Sequence, residues 1–274
     1  MNDNIFRAYD IRGNAEQDLT SDVLIKIGYV LGSKVRDSGS NEIYVGHDSR
    51  LSCQRIFNDL CAGINSADIK VLNLGLVPTP IVYYATNVGS TNHGVMITGS
   101  HNPKDDNGLK VVLDGGPISG LDILDSVKKI NINSAGEKNI ENVSFEENYI
   151  NEVVTKSSAS KKLKIVLDSG NGAAGILAHK TFEALGHETI SINKHPDGNF
   201  PNHHPDPSKE KNLIQIKNKI SETEADLGLA FDGDGDRVGL ITNNGDFVLS
   251  DHIIMMLAEF YLKQTNGPVV FDVK

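Results

Sequence analysis

The 274 residues suffice for about two domains, and 39% hydrophobic with 23% charged residues is the balance of a globular chain. A formal net charge of −10 argues against a nucleic-acid partner, because basic clusters such as Lys161-Lys162 are too short to matter, and it requires any anion-binding cleft to be cationic only locally. No stretch reads as a signal peptide or membrane span. Cys53 and Cys61 stand eight apart on one expected helix, too far apart to bridge along it, so free thiols, a cytoplasmic location and no membrane partner are expected.

Strand and helix patterns alternate along the chain. Residues 24–35 have helical periodicity, followed by a strand at 42–45, a helix at 54–64, a strand at 70–74 and a helix start at Pro78-Thr79-Pro80. Residues 94–97 and 111–113 read as strands and 118–130 as a helix, before a polar stretch at 131–142. Residues 157–162 look like a linker. A second alternating series begins at Leu163, with strands at 163–167, 189–192 and 226–231. Between the last two runs a Gly, Pro, His and Asn-rich loop at 195–207, longer than most connections and therefore a candidate functional segment. Asn243-Asn244-Gly245-Asp246 reads as a hairpin turn. A helix at 251–263 and a strand at 268–273 open a third unit. The expected class is α/β.

Two strand ends carry the chemistry. In Phe231-Asp232-Gly233-Asp234-Gly235-Asp236-Arg237, three carboxylates alternate with glycines that let the backbone curl until the acids face one spot. Converging carboxylates repel unless a cation sits between them, and hard oxygen ligands select Mg²⁺ or Ca²⁺. An EF-hand starting at Asp232 is excluded, because its sixth and twelfth positions are Arg237 and Asn243. A solvated acidic turn is the bland alternative. Mg²⁺ usually shares its shell with phosphate oxygens. Thr98-Gly99-Ser100-His101-Asn102-Pro103 offers a place for one, with small residues exposing the Ser100 hydroxyl at a strand's carboxyl end. It lacks the G-x-S-x-G pattern of a hydrolase elbow, and a plain Ser-His-Asn-Pro turn is its structural alternative. Gly170-Asn171-Gly172-Ala173-Ala174-Gly175 satisfies a dinucleotide fingerprint, but the next strand closes on Asn193 where an acid should take the ribose. It reads instead as a tight strand-to-helix turn.

These segments fall in a series: Phe6-Arg7-Ala8-Tyr9-Asp10-Ile11-Arg12-Gly13, the Ser100 hexapeptide, Asn107-Gly108-Leu109-Lys110, Asp168-Ser169-Gly170-Asn171-Gly172-Ala173, His204-Pro205-Asp206-Pro207 and the aspartate loop. In this order the chain resembles the α-D-phosphohexomutases, most closely the bacterial phosphomannomutase/phosphoglucomutase group. Gly99 and Gly235 favour that branch over the similar phosphoglucosamine mutases. The resemblance implies two consecutive α/β domains of this type with mixed sheets between helices, residues 1–150 with a phosphoserine and 151–249 with a metal, and the opening of a third domain at 250–274. It implies that Ser100 becomes phosphorylated, and that Mg²⁺ is held by Asp232, Asp234, Asp236 and a phosphoserine oxygen. The substrate would be a hexose phosphate, interconverted between its 1- and 6-phosphates. Glucose 1,6-bisphosphate, or its mannose analogue, would serve as activator and intermediate.

Three aspartates and a phosphoserine bring about five negative charges, so Arg237, Lys110 and Arg12 are the cations expected to balance them. By resemblance Lys110 gives or takes a proton near the transferred group, helped by a lowered pKa, although alone it reads as a solvated residue at a strand start. Arg237 is expected to act in catalysis and substrate binding, with Tyr9 and Arg12 lining the cleft. His47, where the family more often has arginine, and Lys104-Asp105-Asp106 depart from the pattern. Family members are roughly twice this length, so two further domains, which read the sugar and grip its far phosphate, are the expected partners. Without them little turnover is expected; a module that binds metal and phosphate without turnover is the alternative.

Overall fold

In the computed structural model, which describes residues 1–132, 137–157 and 161–270, the chain builds two sheets in succession. The first takes β1 (Ile11–Asn14), β2 (Glu42–His47), β3 (Lys70–Leu76), β4 (Gly94–Ile97), β5 (Asp106–Leu113), β6 (Gly116–Pro117) and β7 (Ile140–Asn142), in the order β1-β5-β4-β2-β3-β7 with β6 beside β5. β4, β2, β3 and β7 are parallel, and β5 runs antiparallel to β4 and β1.

Alternation along the strands sorts side chains onto two faces. Ile43, Val45, Val95 and Ile97 meet α1 (Ser21–Asp37), α2 (Cys53–Asn65) and α4 (Leu121–Lys129) in one core. Tyr44, Leu72 and Met96 face the other way, toward α3 (Thr79–Val88) and α5 (Glu146–Lys156). Burial on both faces is why these strands read as continuous apolar runs. The second sheet, in the order β12-β11-β10-β8-β9, joins β8 (Lys164–Asp168), β9 (Glu188–Ile192), β10 (Leu227–Phe231), β11 (Val238–Thr242) and β12 (Phe247–Val248). It carries α6 (Gly175–Ala184) and α7 (Ile214–Thr223). Both sheets are mixed, as expected. The hairpin turn joins β11 to β12, with the Thr242 amide donating to the Asp246 carbonyl at 2.9 Å. Cys53 and Cys61 are both buried, free thiols on α2.

Several elements differ from the sequence expectations. β5 starts at Asp106, not 111, because β1 and β4 pair on both its sides and override the weak strand preference of Asn-Gly. Lys110 is therefore mid-strand. α4 starts at Leu121 rather than 118, since Ile118 still follows the β5–β6 hairpin, its amide donating to the Val111 carbonyl. β7 lies inside the polar stretch, pairing β3 through backbone that side-chain pattern does not reveal. α5 and α7 were not anticipated; α5 buries no residue fully and is held by Phe145 and Tyr149 against Tyr44 and Tyr84. The expected division between residues 150 and 151 falls inside α5. α8 (Ser250–Leu262) buries no residue and exposes Met255, Met256, Leu257 and Phe260. Of the strand expected at 268–273, residues 268–270 carry no strand and the rest lies outside the described residues, as do 158–160 of the expected linker. Among the described residues no helix is long and apolar enough to cross a membrane.

Candidate active site

The carboxyl ends of β4 and β10 face each other across the two units. The aspartate loop leaves β10 at Asp232 and returns as antiparallel β11, and the serine segment leaves β4 at Thr98. They touch closely. The Ser100 hydroxyl donates to Asp232 Oδ2 at 2.6 Å. Gly233 makes this possible, because a Cβ there would lie 2.5 Å from the Ser100 carbonyl oxygen. Ser100 is thus not exposed as expected: it is 1% accessible, covered by the loop from the second unit. Its φ of 49° is left-handed, a strained setting for a residue with a side chain.

Candidate ligand atoms of Asp232, Asp234 and Asp236 lie within 4.8 Å of one another. Their surroundings differ. Burial, then the neighbouring Asp234 charge, push Asp232 up to about 7 against the hydrogen bonds from Ser100 and the Arg237 amide. Burial also penalises ionised Asp234, but the Lys110 ammonium and hydrogen bonds from Lys110 and Thr79 outweigh it and hold Asp234 below its ordinary value. Thr79 Oγ1 and Lys110 Nζ both reach Asp234 Oδ2, at 2.5 and 2.6 Å, while Lys110 also meets Asp236 Oδ2 at 2.5 Å. Asp234 Oδ1 is buried with no hydrogen-bond partner among the described residues. A buried carboxylate oxygen with an unused lone pair, inside a trio of carboxylates, fits a hard cation.

Lys110 differs from the expectation. Burial favours its neutral form, yet the two aspartates prevail and raise its pKa. It is a held ammonium rather than a free amine. Arg12 is also busy: its guanidinium donates to the Gly99 carbonyl and Asn102 Oδ1, each at 3.0 Å, and pairs with Asp10 at 2.7 Å. It is buried, though it still lines the cavity. That cavity, about 500 Å³, is lined by Tyr9, Arg12, Ser100, Lys110, Asp236 and Arg237. Tyr9 is 90% exposed at its rim. All the sequence-predicted site residues therefore come together, with Asp232 and Asp234 immediately behind the lining.

Other members escaped the sequence reading. Tyr83 of α3 and His101 also line the cavity; burial and the nearby Arg237 hold the His101 imidazole below its ordinary pKa. Thr79 is visible in sequence only as a helix start. Asp48 and Arg50 were noticed only as neighbours of the unusual His47, although a charged pair straight after a buried strand was a signal. Asp48 accepts from the Thr98 hydroxyl at 2.7 Å and the Gly99 amide at 3.2 Å, both just before Ser100. His47 itself bonds the adjacent Asp48 carbonyl and packs on Phe57, away from the cavity lining.

The glycine-rich turn after β8 is structural, as expected. The Ala173 amide, which a pyrophosphate would need, donates to the Gly233 carbonyl at 2.9 Å, and Asn193 donates to Asp168 at 3.0 Å. The turn therefore buttresses the aspartate loop. The 195–207 loop spans the units: His203 bonds Asp168 at 2.9 Å and His204 meets the His101 carbonyl at 2.6 Å.

A serine and three carboxylates are thus gathered between successive mixed α/β units, beside a cavity edged with cations. The chain belongs to the phosphoglucomutase/phosphomannomutase family: the models of its alpha/beta/alpha domain I and domain II match residues 3–134 and 147–245. It is 44% identical over 275 residues to a phosphomannomutase/phosphoglucomutase of Pseudomonas putida, covering 99% of this chain and 59% of the relative. A phosphoglucomutase of Neisseria meningitidis is 39% identical, with 98% and 60% covered. A solved phosphoglucomutase/phosphomannomutase family protein from Burkholderia thailandensis superposes with a TM-score of 0.89 at 38% identity, covering 96% of this chain and 60% of that one. The chain thus spans about 59% of the length of the first curated relatives it matches.

Proposed function

We propose that this chain carries the phosphoserine and metal-binding half of a hexose phosphomutase, which interconverts a hexose 1-phosphate and 6-phosphate through a bisphosphorylated sugar such as glucose 1,6-bisphosphate or its mannose analogue. The observation that carries the reading is the 2.6 Å hydrogen bond from Ser100 to Asp232, which joins the serine to the carboxylate trio.

Asp232, Asp234, Asp236 and an oxygen of phosphorylated Ser100 would hold Mg²⁺, which when bound neutralises charge on the phosphoryl group. The remaining roles fall to side chains. Asp232 accepts from the Ser100 hydroxyl and so holds that oxygen beside the carboxylate trio. Lys110 and Arg237 supply fixed positive charge beside the transferred group, and Lys110, held as an ammonium, is set to donate a hydrogen bond to a sugar oxygen. Arg12 and Tyr9 line the cavity that would receive the incoming sugar phosphate. Phosphoryl transfer needs positioning and charge stabilisation more than covalent help, and the cavity offers both.

We assign the grip on the far end of the sugar to the part of the relatives' length without a counterpart here, domains III and IV of the family. Residues 1–150 and 151–249 then act as the phosphoserine and metal domains. A coupled mutase assay with glucose 1-phosphate or mannose 1-phosphate and the bisphosphate tests this. Little turnover by this chain alone, and turnover on adding the remaining family segment in trans, is expected. No turnover together with no phosphate uptake by Ser100 would instead favour a module that only binds metal and phosphate.

A further inference from the structure

Arg50 does not line the cavity, yet all three nitrogens of its guanidinium are hydrogen-bonded. Its side chain has no solvent exposure. Nη2 donates to the carbonyls of Ser100 and Asn102, each at 2.8 Å, and Nη1 donates to the carbonyl of Asp106 at 2.8 Å and to that of Pro103. Nε pairs with Asp48 at 3.2 Å, and the same carboxylate binds the Thr98 hydroxyl and the Gly99 amide. One planar fork thus gathers the carbonyls of residues 100–106, a geometry that a lysine's single ammonium does not reproduce. The packing leaves it no freedom. A Cβ on Gly99 would lie 2.4 Å from Cζ of Arg50.

The second unit closes over it. The Phe200 ring lies 5.4 Å beneath the guanidinium, and a Cβ on Gly198 would meet the Ser49 carbonyl at 2.5 Å. Ser100 needs such support, because a left-handed backbone is unfavourable for a residue with a side chain. We propose that Arg50 is a positioning residue, whose fork on the Ser100-to-Asp106 carbonyls, capped by Phe200 of the second unit, holds Ser100 in the conformation that aims its hydroxyl at Asp232. The proposal rests on the reading of Ser100 as the phosphate carrier. The 195–207 loop then has a function: it joins the serine of one unit to the metal loop of the other.

The test compares wild type, Arg50→Lys and Phe200→Leu. Three readouts are the rate of Ser100 phosphorylation by glucose 1,6-bisphosphate, Mg²⁺ affinity and amide hydrogen exchange. In Arg50→Lys, phosphorylation should slow by roughly a hundredfold, the cost of misplacing a reacting group by about 1 Å. Mg²⁺ affinity should stay as in wild type, and exchange should quicken only across residues 98–106. Phosphorylation at the wild-type rate would overturn the proposal, as would exchange quickened throughout the chain, the mark of a merely structural role. If Arg50→Lys fails to fold, Phe200→Leu decides: slowing of about threefold or more supports the proposal and wild-type behaviour overturns it. If wild type itself takes no phosphate at Ser100, the functional reading fails. Exchange still judges Arg50 in that case, and unchanged protection at 98–106 overturns its positioning role.

Discussion

Gly233→Ala places a methyl group where the two units meet most tightly. The added Cβ would lie 2.5 Å from the Ser100 carbonyl oxygen, so the loops must part by roughly 0.9 Å to restore an ordinary 3.4 Å contact. Neither side yields readily, since both are backbone: the Gly233 carbonyl is held by the Ala173 amide and the Ser100 carbonyl by Arg50. Opening the seam by that amount stretches the 2.6 Å bond between Ser100 and Asp232 to about 3.5 Å, beyond a useful hydrogen bond. Overpacking costs about 1–3 kcal/mol, and losing a hydrogen bond to a charged group about 1.5–3. The sum, about 2.5–6 kcal/mol, corresponds to a Tm lower by roughly 10 °C. Thermal melting and Ser100 phosphorylation measured on the same sample check this. A variant with wild-type Tm and phosphorylation rate would refute the claim that this contact sets the serine against the metal loop.

Lys110→Met removes the ammonium between Asp234 and Asp236; breaking such a pair costs about 3–5 kcal/mol when fully buried, and somewhat less with Lys110 15% exposed. Mg²⁺ should recover much of that loss, so its Tm shift should be larger in the variant than in wild type; equal shifts would contradict a shared site. His203 has its pKa raised, because Asp168 outweighs the opposing effect of burial. Its contribution to stability is therefore complete below the unfolded value of about 6.5 and is lost as pH rises through the raised folded value. Urea melts at about pH 6 and pH 8 should show wild type losing more stability with rising pH than His203→Gln, and parallel losses would contradict the pairing. Asp232, raised to about 7, should make Mg²⁺ binding release a proton below that pH, seen by calorimetry in two buffers of different ionisation heat. Equal heats in both buffers at pH 6 would argue against it.

The strands that are buried on both faces were legible as apolar runs, and so were the loops that leave them. Gly94–Ile97 and Leu227–Phe231 place Ser100 and the aspartates at strand ends, where the sequence put them. Elements held by partners rather than by their own pattern were not legible. β7 is an edge strand without buried residues, and α5 is fixed by aromatic contacts with Tyr44 and Tyr84. The ionisation of the site was misread for a similar reason. Lys110 was expected among cations that lower its pKa, but its nearest charges are the two aspartates, 124 and 126 residues away along the chain. Ser100 was expected to be exposed because its neighbours are small; small neighbours also let another loop cover it. Arg50 was overlooked because four of its hydrogen bonds go to backbone carbonyls, which have no sequence signature.

The most direct test of the account is intact-mass spectrometry of the chain after incubation with glucose 1,6-bisphosphate and Mg²⁺, followed by a phosphate-mapping digest. The account predicts one added phosphate, on Ser100, and none in Ser100→Ala. Stable phosphate on another residue, with Ser100 unmodified, would contradict it.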